Sequence, residues 1–289
     1  MKLHRSLRIL AAFSLFALFT GAWVLGAEAE SEGPELVAGR VHYLIGSKGG
    51  NVGLQKGPDG VLVVDDKFAD TTEEIERAIA SLQSGRPTWL INTHHHGDHT
   101  GGNAHFGKSL TIVAHDNVRK RLEAEGGAAT GLPVVTHADG ASLHFNGEEV
   151  RLIHVPRAHT DGDTVVWFKG SKVIHLGDLY FQIGFPFLDV ASGGSAQGLV
   201  AGLDRILELV PADTKVVPGH GVVTGVDGLR EYRDMVATSL ERVRELKAEG
   251  FSADDMLAAG VVEDYVERWT WGFIDAKKFV TSIVAGLDE

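Results

Sequence analysis

One stretch of this 289-residue chain carries most of its chemical information: Ile91-Asn92-Thr93-His94-His95-His96-Gly97-Asp98-His99-Thr100-Gly101-Gly102. It begins within an apolar run, 89–92, that predicts a strand, and it ends in two glycines, so we expect the histidines in a loop at a strand end. Two simpler explanations are a chance surface cluster, since the chain has 14 histidines, and a His-rich metal-scavenging tract. Neither accounts for a strand before the cluster and a Gly-Gly turn after it. We therefore predict a catalytic metal site.

The spacing within this stretch predicts two adjacent ions. Residues two apart in an extended segment lie on the same side, so His94 and His96 can face one ion while His95 points away. Gly97 allows the backbone to turn sharply. Such a turn can direct the next two side chains, Asp98 and His99, toward a second ion.

Three further candidate ligands stand at the ends of predicted strands. His159 follows the strand predicted at 150–155, Asp178 follows the one at 173–176, and His220 follows the one at 215–217. A single histidine or aspartate in such a position is more often structural than catalytic. Three of them, each with glycine or proline nearby, fit a site assembled at one edge of a sheet.

The order, spacing and strand context of these motifs resemble the metallo-β-lactamase superfamily. The resemblance covers nearly all of the chain beyond its N-terminal segment, from Val61-Leu62-Val63-Val64-Asp65 to Pro218-Gly219-His220-Gly221. It implies an α/β fold, the αβ/βα four-layer sandwich, in which two mixed β-sheets pack face to face with helices outside. Because no linker divides the composition, we expect residues 30–289 to form a single domain of this fold.

The resemblance also implies a role for each matching residue. The first metal ion would be held by His94, His96 and His159. The second would be held by Asp98, His99 and His220. Asp178 would bridge the two ions, and Asp98 would also act in catalysis by orienting the nucleophile. Asp65 matches an aspartate that supports the histidine loop from behind its ligands.

Two divalent cations are therefore the predicted cofactors. The chain contains no cysteine, which excludes thiolate ligands and leaves imidazole and carboxylate. These ligands suit zinc, our first choice, and they also accept iron or manganese. Paired ions lower the pKa of water from 15.7 to about 7 and so supply hydroxide at neutral pH.

These features predict a dinuclear hydrolase whose metal-bound hydroxide attacks a small carbonyl substrate, such as a β-lactam, a lactone or a thioester. β-Lactamases of the superfamily usually carry cysteine or serine where this chain has Asp178, a departure that argues against efficient antibiotic hydrolysis. Asp178 resembles instead the glyoxalase II and lactonase branches, and the histidine stretch is similar to that of quinoprotein-relay proteins. Two alternatives stay open: an iron-dependent sulfur or persulfide oxygenase, and a non-catalytic relay or binding protein of a quinoprotein or sulfur-oxidation pathway.

Charge and composition narrow the class of partner. The formal net charge of −12 argues against a nucleic-acid partner, which would need a basic surface. We therefore expect a small-molecule substrate. The aromatic segment 180–187, which follows Asp178, has two interpretations: a wall of the substrate pocket, or ordinary core packing.

The first 29 residues have the layout of a signal peptide. Lys2, Arg5 and Arg8 precede an apolar run at 9–25, and a small-x-small site allows cleavage after Ala27 or Ala29. Cleavage there would yield a periplasmic or secreted protein. The apolar run is almost long enough to span a bilayer, so an uncleaved N-terminal membrane anchor is the alternative.

Local patterns predict several helix starts. Thr71 and Glu74 have the spacing of a capping box, and Asp116 is placed to cap another helix. Further helices are expected at 196–209 and 229–247, with two short ones beginning near Ser252 and Asp275. The remaining histidines are expected to neighbour the site, to be structural or to be exposed: His95, His105, His115, His137, His144, His154 and His175.

Overall fold

The computed structural model describes residues 33–82 and 85–288, whose strands form two mixed sheets. In the first sheet, the spatial order of the strands follows the sequence: β1 (Glu35–Ala38), β2 (Val41–Leu44), β3 (Val52–Gly57), β4 (Gly60–Val64), β5 (Pro87–Ile91), β6 (Thr111–His115) and β7 (Val135–His137). Strands β1 to β4 pair antiparallel, whereas β4 to β7 run parallel. The parallel half of this sheet directs the end of β5 toward the predicted histidine loop.

The second sheet is built from the later strands: β8 (Gly140–Phe145), β9 (Glu148–Val155), β10 (Asp163–Phe168), β11 (Val173–His175), β12 (Lys215–Val217) and β13 (Thr224–Gly225). Their spatial order is β13-β12-β11-β10-β9-β8. The β11–β12 pair is parallel and the other pairs are antiparallel. Because β11 and β12 run in the same direction, Asp178 and His220, which follow them, leave the sheet at the same edge.

Helices cover the outer faces of the sheets: α1 (Thr72–Ser81), α2 (Gly97–Thr100), α3 (Asn103–Phe106), α4 (Asp116–Ala124), α5 (Ala196–Leu209), α6 (Val226–Ala248), α7 (Ala253–Ala258), α8 (Glu263–Trp269) and α9 (Ala276–Gly286). The prediction of a helix at 196–209 is confirmed, and Ser252 and Asp275 each cap a helix by accepting a backbone N–H three residues on.

Apolar side chains on both faces of the strands hold the layers together. Along β4, Leu62 and Val64 pack between the two sheets, while Val61 and Val63 pack against α1. This alternation places one strand in two cores, as expected for a sheet buried on both sides. A third core joins α5, α6 and α9 to the outer face of the second sheet. The predicted αβ/βα four-layer sandwich is thus confirmed.

Two predicted helix caps are wrong. Thr71 forms no capping box: its hydroxyl donates to the Phe68 carbonyl, and the Glu74 carboxylate accepts from Ser47 instead. The helix at Asp116 is capped by His115, whose Nδ1 accepts the Asn117 N–H at 3.1 Å. At Thr71 a contact distant in sequence, from Ser47, replaces the predicted pattern, whereas at Asp116 the preceding residue supplies the cap.

The described residues from Gly33 onward belong to one compact unit, Ser31–Glu289. The predicted signal peptide or anchor at 1–29 lies outside the described residues and stays a prediction. Within the ranges 33–82 and 85–288, no helix combines the length and hydrophobicity needed to cross a bilayer.

Candidate metal centre

Four strand ends bring the predicted ligands to one edge of the sandwich. The loop after β5 and helix α2 carry His94, His96, Asp98 and His99, whereas the second sheet contributes His159, Asp178 and His220 after β9, β11 and β12. All seven predicted ligand residues are brought together at this edge. Their role as metal ligands stays a prediction.

The first group of donor atoms comes from His94, His96, His159 and Asp178, and these atoms lie within 4.8 Å of one another. His159 Nε2 lies 2.9 Å from His96 Nδ1. Asp178 Oδ2 lies 3.7 Å from His94 Nε2 and 3.6 Å from His159 Nε2. Three imidazoles and one carboxylate oxygen therefore converge on one point.

The second group comes from Asp98, His99 and His220. Asp98 Oδ2 lies 3.6 Å from His99 Nε2 and 3.2 Å from His220 Nε2. The other oxygen of Asp178, Oδ1, faces this group at 3.1 Å from His99 Nε2 and 3.5 Å from His220 Nε2. The two oxygens of Asp178 thus face different groups, which is the arrangement that a bridging carboxylate requires.

Three buried polar atoms in this site lack a hydrogen-bond partner: His94 Nε2, His99 Nε2 and Asp178 Oδ1. The last two atoms are only 3.1 Å apart but are not aligned for a hydrogen bond. Unpaired buried polar atoms are costly and rare in folded proteins. Since imidazole nitrogens and carboxylate oxygens are ligands of divalent cations, the residues present fit a metal in each group.

The two groups differ in their electrostatics. Burial lowers the pKa of His94 well below its ordinary value and that of His159 to about 4, so these two imidazoles are neutral near pH 7. Burial also acts to lower the pKa of His220, but the carboxylates of Asp178 and Asp98 outweigh it and raise the pKa to about 9. The pKa of His99 is raised well above its ordinary value by the same competition. The carboxylates of the second group therefore favour positive charge beside them, which protons or a divalent cation can supply.

Asp65 holds the histidine loop from behind. Its carboxylate accepts hydrogen bonds from the Thr93 N–H and hydroxyl, each at 2.7 Å, and lies 2.8 Å from His99 Nδ1. With Nδ1 of His99 donating to Asp65, Nε2 is left free to face the site. The geometry thus matches the supporting role that the resemblance implied for Asp65.

Sequence reasoning missed Asp189, which lies in the loop before α5. Asp189 Oδ2 lies 2.9 Å from His96 Nε2, so it orients the ring whose Nδ1 faces His159. Asp189, His95 and His96 also form a third set of nearby donors. Because His96 Nε2 already contacts Asp189, we interpret Asp189 as a positioning residue. No fixed spacing links it to the histidine motif, so the sequence offered no signal.

His95 points away from the site, as predicted: its Nε2 lies 3.9 Å from Glu125, and its ring joins neither of the two ligand groups. His175, at the end of β11, is buried, and its Nδ1 accepts the Gly177 N–H. Neither residue contributes a donor to the two groups.

The predicted role of Gly97 is wrong. Gly97 begins α2 with ordinary helical geometry, and a Cβ there would meet no other atom within 4 Å. The helical turn itself redirects the next two side chains. Glycine is required elsewhere: a Cβ on Gly50 would lie 2.1 Å from the His99 ring, and one on Gly219 would lie 2.0 Å from Asp178 Oδ1.

A cavity of about 400 Å³ opens on both groups. Its walls are largely aromatic: Phe68, Phe181, Phe187, Trp271 and Phe273. Both interpretations of the segment 180–187 hold for different residues, because Phe181 and Phe187 line the cavity whereas Tyr180 and Phe185 are buried in the core. Trp271 and Phe273, between α8 and α9, were not anticipated.

Comparisons with known proteins agree with this architecture. The family model described as the metallo-beta-lactamase superfamily matches residues 45–220. Among curated proteins, the chain is 32% identical over 171 residues to a hydroxyacylglutathione hydrolase of Methylococcus capsulatus, covering 56% of this chain and 60% of that protein. It is 31% identical over 179 residues to the hydroxyacylglutathione hydrolase of Rhodospirillum rubrum, covering 60% of this chain and 61% of that one. The matches therefore span about three fifths of these relatives.

Solved structures share the fold at lower sequence identity. A metallo-beta-lactamase from Pontibacter korlensis superposes with a TM-score of 0.62 at 17% identity, covering 71% of this chain and 98% of that chain. The DIM-1 metallo-beta-lactamase gives a TM-score of 0.61 at 18% identity, covering 71% and 97%. These likenesses support the fold alone.

Proposed function

Because the chain belongs to the metallo-β-lactamase superfamily, we propose that it is a dinuclear metal-dependent hydrolase acting on a small carbonyl substrate. The observation that carries this proposal is the position of Asp178, whose two carboxylate oxygens face two separate groups of imidazole and carboxylate donors. A site for a single ion would need only one of these groups.

The chain's own residues have distinct tasks in such a reaction. When bound, divalent ions polarise a carbonyl oxygen and make water acidic enough to act as a nucleophile near neutral pH. Asp98 has a side chain that is 24% exposed and lines the cavity, so its carboxylate can hold the attacking water and accept its proton. The aromatic walls exclude bulk water, which strengthens every electrostatic interaction in the site.

The relatives favour a thioester among the three predicted substrate classes. The names of the most similar curated proteins describe hydrolysis of hydroxyacylglutathione, a thioester. The aspartate at position 178 points in the same direction, since the resemblance associates it with the glyoxalase II and lactonase branches. We rank thioesters first, lactones second and β-lactams third.

Metal analysis and a substrate panel test the proposal together. We expect purified protein reloaded with zinc, manganese or iron to bind two ions per chain and to hydrolyse at least one of a thioester, a lactone and a β-lactam. Asp178→Asn should reduce both the metal content and the rate. One iron per chain, with oxygen consumed in the presence of a persulfide, would instead support the oxygenase. Full metal occupancy without turnover of any of these compounds would support the relay protein.

We also propose that the protein is exported, on the strength of its N-terminal charge, apolar run and small-x-small site. N-terminal sequencing of the protein recovered outside the cytoplasm should begin at Glu28 or Glu30. A chain that still begins at Met1 would favour the membrane anchor.

A further inference from the structure

A second cavity adjoins the one at the metal centre. This groove, about 680 Å³ in volume, runs along α9 and is lined mainly by apolar side chains, among them Leu188, Val190 and Ile274. Phe187 and Phe273 line both the groove and the metal cavity. Their rings meet edge to face with centroids 5.4 Å apart. The two spaces therefore lie next to each other, with this pair of rings as their common wall.

Apart from the proposed metal ions, few positively charged groups line the two spaces. None of the described residues that line the metal cavity is lysine or arginine, and two of them are the carboxylates Asp98 and Asp178. The groove has two lysines at its rim, and the ammonium group of each already has a partner within the chain. Lys277 Nζ lies 3.0 Å from Asp254 Oδ1, and Lys278 Nζ donates to the Phe273 carbonyl at 2.7 Å. Each ammonium therefore already has an oxygen partner within the chain.

Phe273 is the residue whose contact with an apolar ligand would contribute most to the free energy of binding. It is 51% exposed and lines both the metal cavity and the groove. Covering such a ring removes apolar surface from water, and the hydrophobic effect makes this favourable without requiring any directional contact. An alkyl chain that leaves the metal cavity has to pass this ring to enter the groove.

From the two rings that the cavity and the groove share, we propose that the substrate is a long-chain acyl thioester or ester, with its carbonyl at the metal centre and its uncharged alkyl chain crossing Phe187 and Phe273 into the groove. This inference rests on the proposed hydrolase function and specifies its substrate. In the reaction, water adds to the carbonyl carbon and the carbon–sulfur or carbon–oxygen bond breaks. A proton of the water passes to the leaving thiolate or alkoxide, which yields a fatty acid and a thiol or alcohol.

Chain length is the first test. The metal-loaded protein is assayed with butanoyl, octanoyl and dodecanoyl thioesters of one small neutral thiol. Because each buried methylene strengthens binding about fourfold, we expect kcat/KM to rise by at least about tenfold from the butanoyl to the dodecanoyl substrate. A butanoyl thioester of glutathione should be no better than its neutral counterpart, since none of the described residues lining the cavity is a lysine or arginine that could hold the peptide carboxylates.

Two variants test the contribution of the groove to substrate binding separately from the chemical step. Phe273→Ala should raise KM for the dodecanoyl substrate by about tenfold, a larger change than it causes in KM for the butanoyl substrate. Phe251→Ala is the matched control, because Phe251 is a comparably exposed phenyl ring, at 40%, in the turn after α6 and outside both cavities. It should leave both substrates unchanged.

A binding measurement gives a readout that does not depend on turnover. A long-chain alkyl methyl ketone has the carbonyl and the chain but no leaving group. Calorimetry should show that it binds wild-type protein with a negative heat-capacity change, the mark of buried apolar surface, and that it binds Phe273→Ala more weakly and with a smaller heat-capacity change.

The outcomes distinguish this inference from the proposed function. Failure to hydrolyse a thioester of any chain length, together with failure on the lactone and the β-lactam, would refute the hydrolase, and the ketone titration would still decide whether the groove takes an alkyl chain. Hydrolysis of the butanoyl thioester without preference for longer chains would overturn the acyl-chain assignment alone. A wild-type dimer that Phe273→Ala dissociates, or binding to neutral lipid vesicles that Phe273→Ala abolishes, would also overturn it by giving the groove another occupant.

Discussion

Asp189 shows how one residue outside the ligand set can control the site. Its carboxylate contacts Nε2 of His96 at 2.9 Å, and Nδ1 of the same ring faces His159 at 2.9 Å. Burial raises the pKa of Asp189, but hydrogen bonds from His96 and Ser192 outweigh this effect and hold it well below its ordinary value. The carboxylate therefore stays ionised and fixes both the tautomer and the orientation of the His96 ring.

We expect Asp189→Ala to weaken metal binding at the first group by about 10–100-fold, the usual cost of removing a partner that orients a ligand. Competition with a chromophoric chelator measures this affinity. Asp204→Ala is the control, since Asp204 forms an ion pair with Arg233 between α5 and α6, away from the site. Equal affinities in wild type and Asp189→Ala would show that His96 needs no support from this carboxylate.

The residues that could be predicted from the sequence are those with fixed spacing. His94, His96, Asp98 and His99 lie within one loop and helix turn, where geometry follows from the order of residues alone. Asp189, Trp271 and Phe273 reach the site through contacts that depend on how distant segments pack. No spacing rule connects those segments to the histidine motif, so only the structure could identify them.

At the scale of elements, strands β6, β7 and β9 bring three further histidines into one cluster. The His115 and His154 rings stack with centroids 3.8 Å apart, and the His115 and His137 centroids are 5.7 Å apart. Burial lowers the pKa of all three, and that of His137 falls from 6.5 to about 4, with nearby Asp116 and Asp139 opposing the effect weakly. The folded cluster is therefore neutral near pH 7.

This cluster predicts a loss of stability in mild acid. Between pH 6.5 and about 4 the unfolded state binds a proton at His137 that the folded state excludes, so stability is complete above pH 6.5 and falls as the pH drops toward 4. Between pH 7 and pH 5 we expect His137 to account for roughly 2 kcal/mol of the decrease. Urea unfolding with chelator present should show a smaller pH dependence for His137→Gln than for wild type. An unchanged dependence would remove His137 as the cause.

The success of element prediction depended on how local each signal was. Helix α5 was predicted with its observed bounds because its apolar positions recur on one face and Ser195 caps it. Strands β7 and β8 were missed because they are partly exposed and are defined by pairing with β6 and β9. The capping box predicted at Thr71 does not form for a related reason. The loop residue Ser47 donates hydrogen bonds to the Glu74 carboxylate that the box would have used.

At the scale of the whole molecule, the candidate metal centre joins the two sheets. His94, His96, Asp98 and His99 follow a strand of the first sheet, while His159, Asp178 and His220 follow strands of the second. Periodicity in the sequence indicated two β-layers with helices outside. The meeting of particular strand ends depends on contacts between residues distant in sequence. The prediction that these strand ends meet therefore came from the family resemblance.

A metal held between the sheets should stabilise the fold as a whole. A ligand that binds only the folded state contributes about 4 kcal/mol at a thousand times its Kd, and each kcal/mol raises Tm by about 2–4 °C for a domain of this size. We therefore expect a chelator to lower the Tm of the metal-loaded protein by about 8–16 °C, and re-addition of zinc, manganese or iron to restore it. Scanning calorimetry measures both steps.

Asp178→Asn provides the comparison that ties this stabilisation to the shared carboxylate. The variant keeps the shape of the side chain but loses the charge that faces both groups. It should bind metal more weakly, and its Tm should respond less to the chelator than that of wild type. If the wild-type Tm does not change with the chelator although the metal leaves, the cations do not hold the two sheets together, and the sandwich is stable through its apolar cores alone.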